Sequence, residues 1–239
     1  MRRTMRISLP ALPRSHRLLV FLLLAVALPL DVRVDLPGQV LIGIVAWTAL
    51  FYVLASFEFH ERLTLWACLV IATCGELFLS LLWGLYTYRL ENVPLFIPPG
   101  HVMLLMMAIA LGRSMPHTMA NVTLAAAAAY GLAAGLLGFD TFGLLLVAFL
   151  AAVAFNSPSD RPLYASTFLL ALALELYGTW LGNWAWAPEV PVFSLVTTNP
   201  PGLVSTFYAV LDLLVTCAAL TLARRLAPAL RSPVLAPAE

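Results

Sequence analysis

Glu76 to Gly100 reads E-L-F-L-S-L-L-W-G-L-Y-T-Y-R-L-E-N-V-P-L-F-I-P-P-G, and Glu175 to Gly202 reads E-L-Y-G-T-W-L-G-N-W-A-W-A-P-E-V-P-V-F-S-L-V-T-T-N-P-P-G. With small gaps the two stretches follow one order. Glu76 matches Glu175, Gly84 matches Gly182, and Tyr86 and Tyr88 match Trp184 and Trp186. Glu91 matches Glu189, Pro94-Leu95-Phe96 matches Pro191-Val192-Phe193, and each copy closes on Pro-Pro-Gly. A carboxylate inside an apolar run, followed by an aromatic-rich polar segment, is expensive in a helix that faces lipid. Two such segments in one order point to an internal duplication.

The surrounding chain sets the solvent. Of its 239 residues 62% are hydrophobic and 10% are charged, against about 25% charged in a typical soluble domain. A hydrocarbon core takes roughly 20 helical residues to cross, and apolar runs suited to that length fall at about 17–30, 38–57, 64–86, 99–112, 118–138, 141–157, 163–182 and 202–223. The runs are continuous rather than alternating, so helices are expected and a barrel is not. The expectation is an all-α polytopic membrane protein, a single transmembrane domain over 1–239 with about eight spans. Its pseudo-repeats are 38–120 and 121–230, and the duplicated motif occupies 76–100 and 175–202. Four crossings separate the copies, so both point the same way, as in a parallel duplication.

The charges give an independent orientation. With eight spans and the N-terminus inside, the cytoplasmic segments hold Arg2, Arg3, Arg6, Arg14, Arg17, Arg62, Arg113, Arg161, Arg224, Arg225 and Arg231. Of the 13 basic residues only Arg33 and Arg89 remain outside, a strong positive-inside bias. Asp31, Asp35, Glu91, Asp140 and Glu189 join them there. A bacterial-type plasma membrane with both termini cytoplasmic follows. The basic start, the apolar run from Leu18 and the triplet Ala25-Val26-Ala27 also fit a cleaved signal peptide, which would leave seven spans.

Several function classes are unsupported. No basic stripe suggests nucleic acid, and no phosphate loop, dinucleotide fingerprint, serine elbow or Asp-rich diphosphate motif appears. Cys68, Cys74 and Cys217 lie in apolar runs and read as small buried hydrophobes. His60 between Glu58 and Glu61 lacks a second histidine at helical spacing, so no metal site is expected. No cofactor is expected either. Gly131, Gly135 and Gly138 give the fifth run a small-residue packing face.

The embedded polar residues carry the chemistry. By helical rise, Glu76 lies roughly 15 Å inside the end marked by Tyr86, and Glu175 about 10 Å inside that marked by Gly182. Asp212 falls near the middle of the last run. Such carboxylates face a cavity, pair with a partner or stay protonated, and two sharing a site divide acid and base roles. Glu76 and Glu175 are therefore the candidate catalytic acid and base, with His101, at the mouth of the fourth run, assisting. The bland alternative is a pair of interhelical hydrogen bonds. Tyr86, Tyr88, Trp184 and Trp186 either line a substrate entrance or form an interfacial belt. Arg89 either pairs with Glu91 or holds an anionic group; Asn183, with Asn92 and Asn199, and Asp212 complete the candidate binding residues.

Glu76 with Gly84-Leu-Tyr-Thr-Tyr88 and Val93-Pro94, repeated as Glu175 with Gly182-Asn-Trp-Ala-Trp186 and Val190-Pro191, resembles the small multi-span carotenoid-biosynthesis membrane proteins of the lycopene hydratase type. More loosely it resembles membrane lycopene cyclases. The similarity covers about a fifth of the chain. It implies that Glu76 and Glu175 protonate a polyene so that water adds or a ring closes.

Three functions stay open on the sequence: an intramembrane enzyme acting on an isoprenoid or other lipid, a small proton-coupled or lipid transporter, and a non-catalytic subunit of a larger complex. Membrane lipids and an apolar or amphipathic small molecule are the expected partners. Nothing in the sequence bears on oligomeric state.

Overall fold

The computed structural model describes residues 12–231, without the side chains of 223 and 226–231. Arg2, Arg3 and Arg6 of the charge pattern lie outside the described residues, as does the side chain of Arg231. The chain is mainly helical: α1 (Arg14–Asp31), α2 (Leu36–Leu54), α3 (Phe59–Glu76), α4 (Ile97–Gly112), α5 (His117–Leu136), α6 (Phe142–Asn156), α7 (Arg161–Leu181) and α8 (Thr206–Arg231). Their starts follow local chemistry. Asp35 caps α2 by accepting from the Gly38 amide at 3.2 Å. Glu58 and Glu61 form a reciprocal capping box on α3, with the Glu58 amide donating to Glu61 at 2.8 Å; that accounts for the acidic pair beside His60. Prolines stand in the first turns of α4 and α7, where a missing N–H costs nothing.

Each apolar run emerges as a helix near its expected place, although the third starts at Phe59 and leaves the α-helix after Glu76, and the last continues to Arg231. Three of them, α2, α3 with its continuation to Leu82, and α5, are long and apolar enough to cross a membrane. A fourth arises if α6 and α7, bent by 103°, count as one broken span. The outer surface is greasy: Leu82, Leu136 and Phe155 are 79%, 80% and 75% exposed, as lipid-facing residues would be. This is a membrane-associated protein.

At the centre, α3 packs on α4 and α8, and α7 packs on the same two helices. The pairs α1–α2 and α5–α6 flank this core, with α2 against α4 and α6 against α8. Gly131 and Gly135 serve close packing: a Cβ at either would lie 2.7 Å or 2.4 Å from side chains of Val147 and Leu203 or of Leu144. Cys68 is buried, but Cys74 and Cys217 are exposed, because they fall on the outward faces of α3 and α8; the reading of all three as buried is corrected.

The connections after α1, α3, α5 and α7 gather at one end, tied by hydrogen bonds. Asp31 accepts from Gln39 at 2.7 Å and from Asn183 at 2.8 Å, Arg89 donates to the Asp31 and Val34 carbonyls, and the Val196 amide donates to Thr141. The chain there leaves the α-helix. After Glu76 it continues as a π-helical turn over Leu77–Leu82, and Gly84, at φ +73°, turns it back. A short strand follows, β1 (Tyr86–Tyr88). Gly182, at φ +84°, does the same after α7 and leads into β2 (Trp184–Trp186). The two strands pair antiparallel, Tyr86 with Trp186 and Tyr88 with Trp184, centred on Thr87 and Ala185. A second small hairpin pairs β3 (Glu189–Val190) with β4 (Leu195–Val196). The all-helical expectation thus gains two short sheets.

Candidate functional site

The turn at Gly84 decides where the aromatic residues go. A helix running on to Tyr86 would have carried that ring about 15 Å from Glu76. Instead the strand folds back, and the Tyr86 and Tyr88 hydroxyls both donate to Glu76 Oε2 at 2.6 Å. Burial, and after it the negative charge of Glu76, push the Tyr88 phenol well above its ordinary value, so it remains a donor.

The stretch after Glu175 has the same arrangement with indoles. Trp184 and Trp186 donate from Nε1 to Glu175 Oε2 at 2.9 and 3.2 Å. Gly178 makes room for the first, since a Cβ there would lie 2.1 Å from the Trp184 ring. Tyr86 and Trp186 rings stand 4.7 Å apart across the β1–β2 pair, so both sets of donors rest on one sheet.

Each carboxylate leaves its other oxygen for a partner from a different helix. Glu76 Oε1 lies 3.2 Å from His101 Nε2 on α4. Glu175 Oε1 accepts from the Tyr208 hydroxyl on α8 at 2.8 Å. The His101 and Tyr208 rings stack with centroids 5.2 Å apart and 8° between planes. Glu76, His101, Tyr208 and Glu175 therefore form one buried line.

Donor counting locates the protons. His101 Nδ1 is 3.1 Å from the Ile97 carbonyl, an oxygen that only accepts, so Nδ1 carries a proton. A neutral imidazole of that tautomer beside a carboxylate would oppose two lone pairs. One more proton must lie between Nε2 and Oε1, as imidazolium with carboxylate or as imidazole with carboxylic acid. Glu175 differs. Indole N–H groups only donate, so Oε2 is unprotonated, and three donors suit an ionised carboxylate.

Two cavities adjoin this line, of about 280 and 230 Å³, and His101, Trp184, Tyr208 and Ile97 line both. Glu76 and Glu175 line the second. The fold thus brings together Glu76, Glu175, His101, Tyr86, Tyr88, Trp184 and Trp186. It does not bring in the other predicted binding residues. Arg89 lies 3.6 Å from the Asp31 carboxylate rather than on Glu91. Asn183 donates to Leu28 and Asp31, Asn92 donates to Gln39, and Asn199 accepts from the Trp186 amide. All four are spent on the end connections. Asp212, buried between α7 and α8, accepts from Thr167 and lines neither cavity.

Tyr208 was not foreseen. It is the only tyrosine in the last run, and that was the one signal available. Among the described residues, no three His, Cys, Asp or Glu side chains group to hold a metal ion. No family model, curated protein or solved structure matches the chain.

Proposed function

We propose that this chain is an intramembrane enzyme that acts on an isoprenoid or other lipid by carboxylate general acid–base chemistry. The observation that carries the reading is the pairing of a proton-holding Glu76–His101 couple with a thrice-donated Glu175, both beside an apolar cavity.

The proton between His101 Nε2 and Glu76 Oε1 adds to one carbon of a substrate double bond. The π electrons form the new C–H bond, and positive charge develops on the neighbouring carbon. The faces of Trp184 and Tyr208 stabilise that charge, as does the Glu175 carboxylate. Glu175 then removes a proton. Taken from an adjacent carbon, it restores a double bond and gives isomerisation, or cyclisation where another double bond has first attacked the cation. Taken from a water that attacks the cation, it gives hydration. The site resets when Glu175 loses its proton and the Glu76–His101 couple regains one. Resemblance to the lycopene hydratase type of protein points to the same acid role.

We also infer that the chain crosses a bacterial-type plasma membrane eight times with both termini cytoplasmic, and that it comprises two copies of one unit. Support comes from the arginine distribution, the shared end of the connections after α1, α3, α5 and α7, and the matched pattern of each glutamate with its following glycine and aromatic strand. Retention of α1 is supported by its packing against α2 and α4.

The test compares lipid extracts by mass spectrometry from cells expressing wild type, Glu76→Gln and Glu175→Gln at matched membrane levels. The expected result is a lipid of defined mass shift with wild type that reverts in both variants. No shift with all three proteins folded and abundant would reject the enzyme and leave transport or an assembly role.

A further inference from the structure

The two cavities share a boundary at Ile97, His101, Trp184 and Tyr208 and are otherwise walled largely by different helices. The larger is walled by α1, α2 and α4, and the smaller by α3 with its π turn and by α8. Apart from the site residues themselves, every side chain lining either is apolar, and among the described residues no arginine lines them. A phosphate or carboxylate head would find no unmatched positive charge there, since any charge on His101 is already met by Glu76. Two glycines keep the space open. A Cβ built at Gly75, in the wall of the smaller cavity, or at Gly100, in that of the larger, meets no atom within 4 Å. Gly131 and Gly135, by contrast, sit where helices touch. The rims face outward: Leu41 and Val45 edge the larger cavity at 63% and 56% exposed, and Phe78 and Leu214 edge the smaller at 52% and 49%.

We propose that the chain binds a neutral linear isoprenoid or polyene hydrocarbon with one arm in each cavity, so that an internal pair of carbons, not a chain end, lies against Glu76, Glu175 and His101. The identity of the reacting group rests on the catalytic reading above; the two-armed binding does not. At about 30 Å³ for a water-sized group, each cavity holds roughly eight or nine carbon-sized groups, or about two five-carbon units. A longer arm leaves past Leu41 and Val45 or past Phe78 and Leu214 into lipid.

The experiment uses the full chain in nanodiscs and a squalene carrying a terminal diazirine, with a diazirine-bearing geranylgeranyl diphosphate as the charged counterpart. After irradiation, labelled peptides are mapped by mass spectrometry for wild type, Gly75→Leu and Gly100→Leu, with Gly75→Ala as a variant that adds only a methyl group to open space. The expected result is squalene labelling of α1–α2 and of α3–α8 peptides in wild type and Gly75→Ala. Gly75→Leu loses the α3–α8 labelling about tenfold and Gly100→Leu loses the α1–α2 labelling about tenfold. Excess unlabelled squalene removes both, and the diphosphate labels neither wall. Labelling indifferent to both leucine substitutions, or equal labelling by the diphosphate, overturns the proposal. Because labelling needs no turnover, dual labelling without any product in the glutamine comparison keeps the two-armed site and rejects the chemistry. A product without dual labelling does the reverse.

Discussion

Glu76 and Glu175 each use one oxygen for anchorage on the strands, and the other meets a side chain from another helix, His101 or Tyr208. The anchors are two phenols in one case and two indoles in the other. Phenols can donate or accept, whereas indoles only donate, so the two halves differ in the protonation they tolerate. Tyr208 tests this arrangement with least disturbance. Tyr208→Phe keeps the ring stacked on His101 and removes the hydrogen bond to Glu175. A hydrogen bond to a charged group is worth about 1.5–3 kcal/mol, so product formation is expected to fall about tenfold or more, with His101 still in place. Single-turnover conversion in membranes measures it, and an unchanged rate would make Tyr208 a packing residue. Glu76, Glu175 and His101 were legible in the sequence because ionisable groups stand out in apolar runs. Tyr208 was not, since its counterpart by offset from Gly202 and Gly100 is Met106. Arg89 and Asn183 read as ligands for lack of any local sign that Asp31 lay against them; that neighbour comes from another helix end.

The aromatic strands work because two helices stop where they do. Gly84 and Gly182 adopt positive φ, a conformation costing other residues about 1–2 kcal/mol, and each sends the chain back over its own glutamate. Gly178 is the steric condition on one side. Gly178→Ala puts a methyl group against the Trp184 ring and is expected to separate that indole from Glu175, with loss of near-UV circular dichroism and a Tm lower by several degrees, as about 1–3 kcal/mol of overpacking would give. Unaltered spectra and Tm would show that the ring has another place to go. Helix positions were readable from apolar run length. Three-residue strands were not: Tyr-Thr-Tyr and Trp-Ala-Trp are too short for periodicity to separate from an interfacial belt, and only pairing with each other across a long stretch of chain makes them strands.

At the scale of the molecule, orientation is the open quantity that a labelling experiment answers directly. In a chain with Cys68, Cys74 and Cys217 replaced by serine or alanine, a cysteine introduced at exposed Glu91 is expected to react with a membrane-impermeant maleimide on intact cells. One at exposed His60 is expected to react only after permeabilisation. The opposite pattern would invert the topology. Run lengths and arginines were enough to anticipate eight helices, yet they said nothing about which helices touch; that depends on side chains meeting across the bundle. The β1–β2 register carries a consequence for descent. It is centred on Thr87 and Ala185, which hold matching places in the two similar stretches, and it exchanges first with last residue in each strand. A contact in which residue i meets j while j meets i is the mark of a two-fold interface between identical subunits. If the chain arose from two copies of one unit, its ancestor was a homodimer already joined at this strand. In that case fusion would have let His101 and Tyr208, whose counterparts by offset are Leu203 and Met106, diverge and make one symmetric pair of sites into a single asymmetric one.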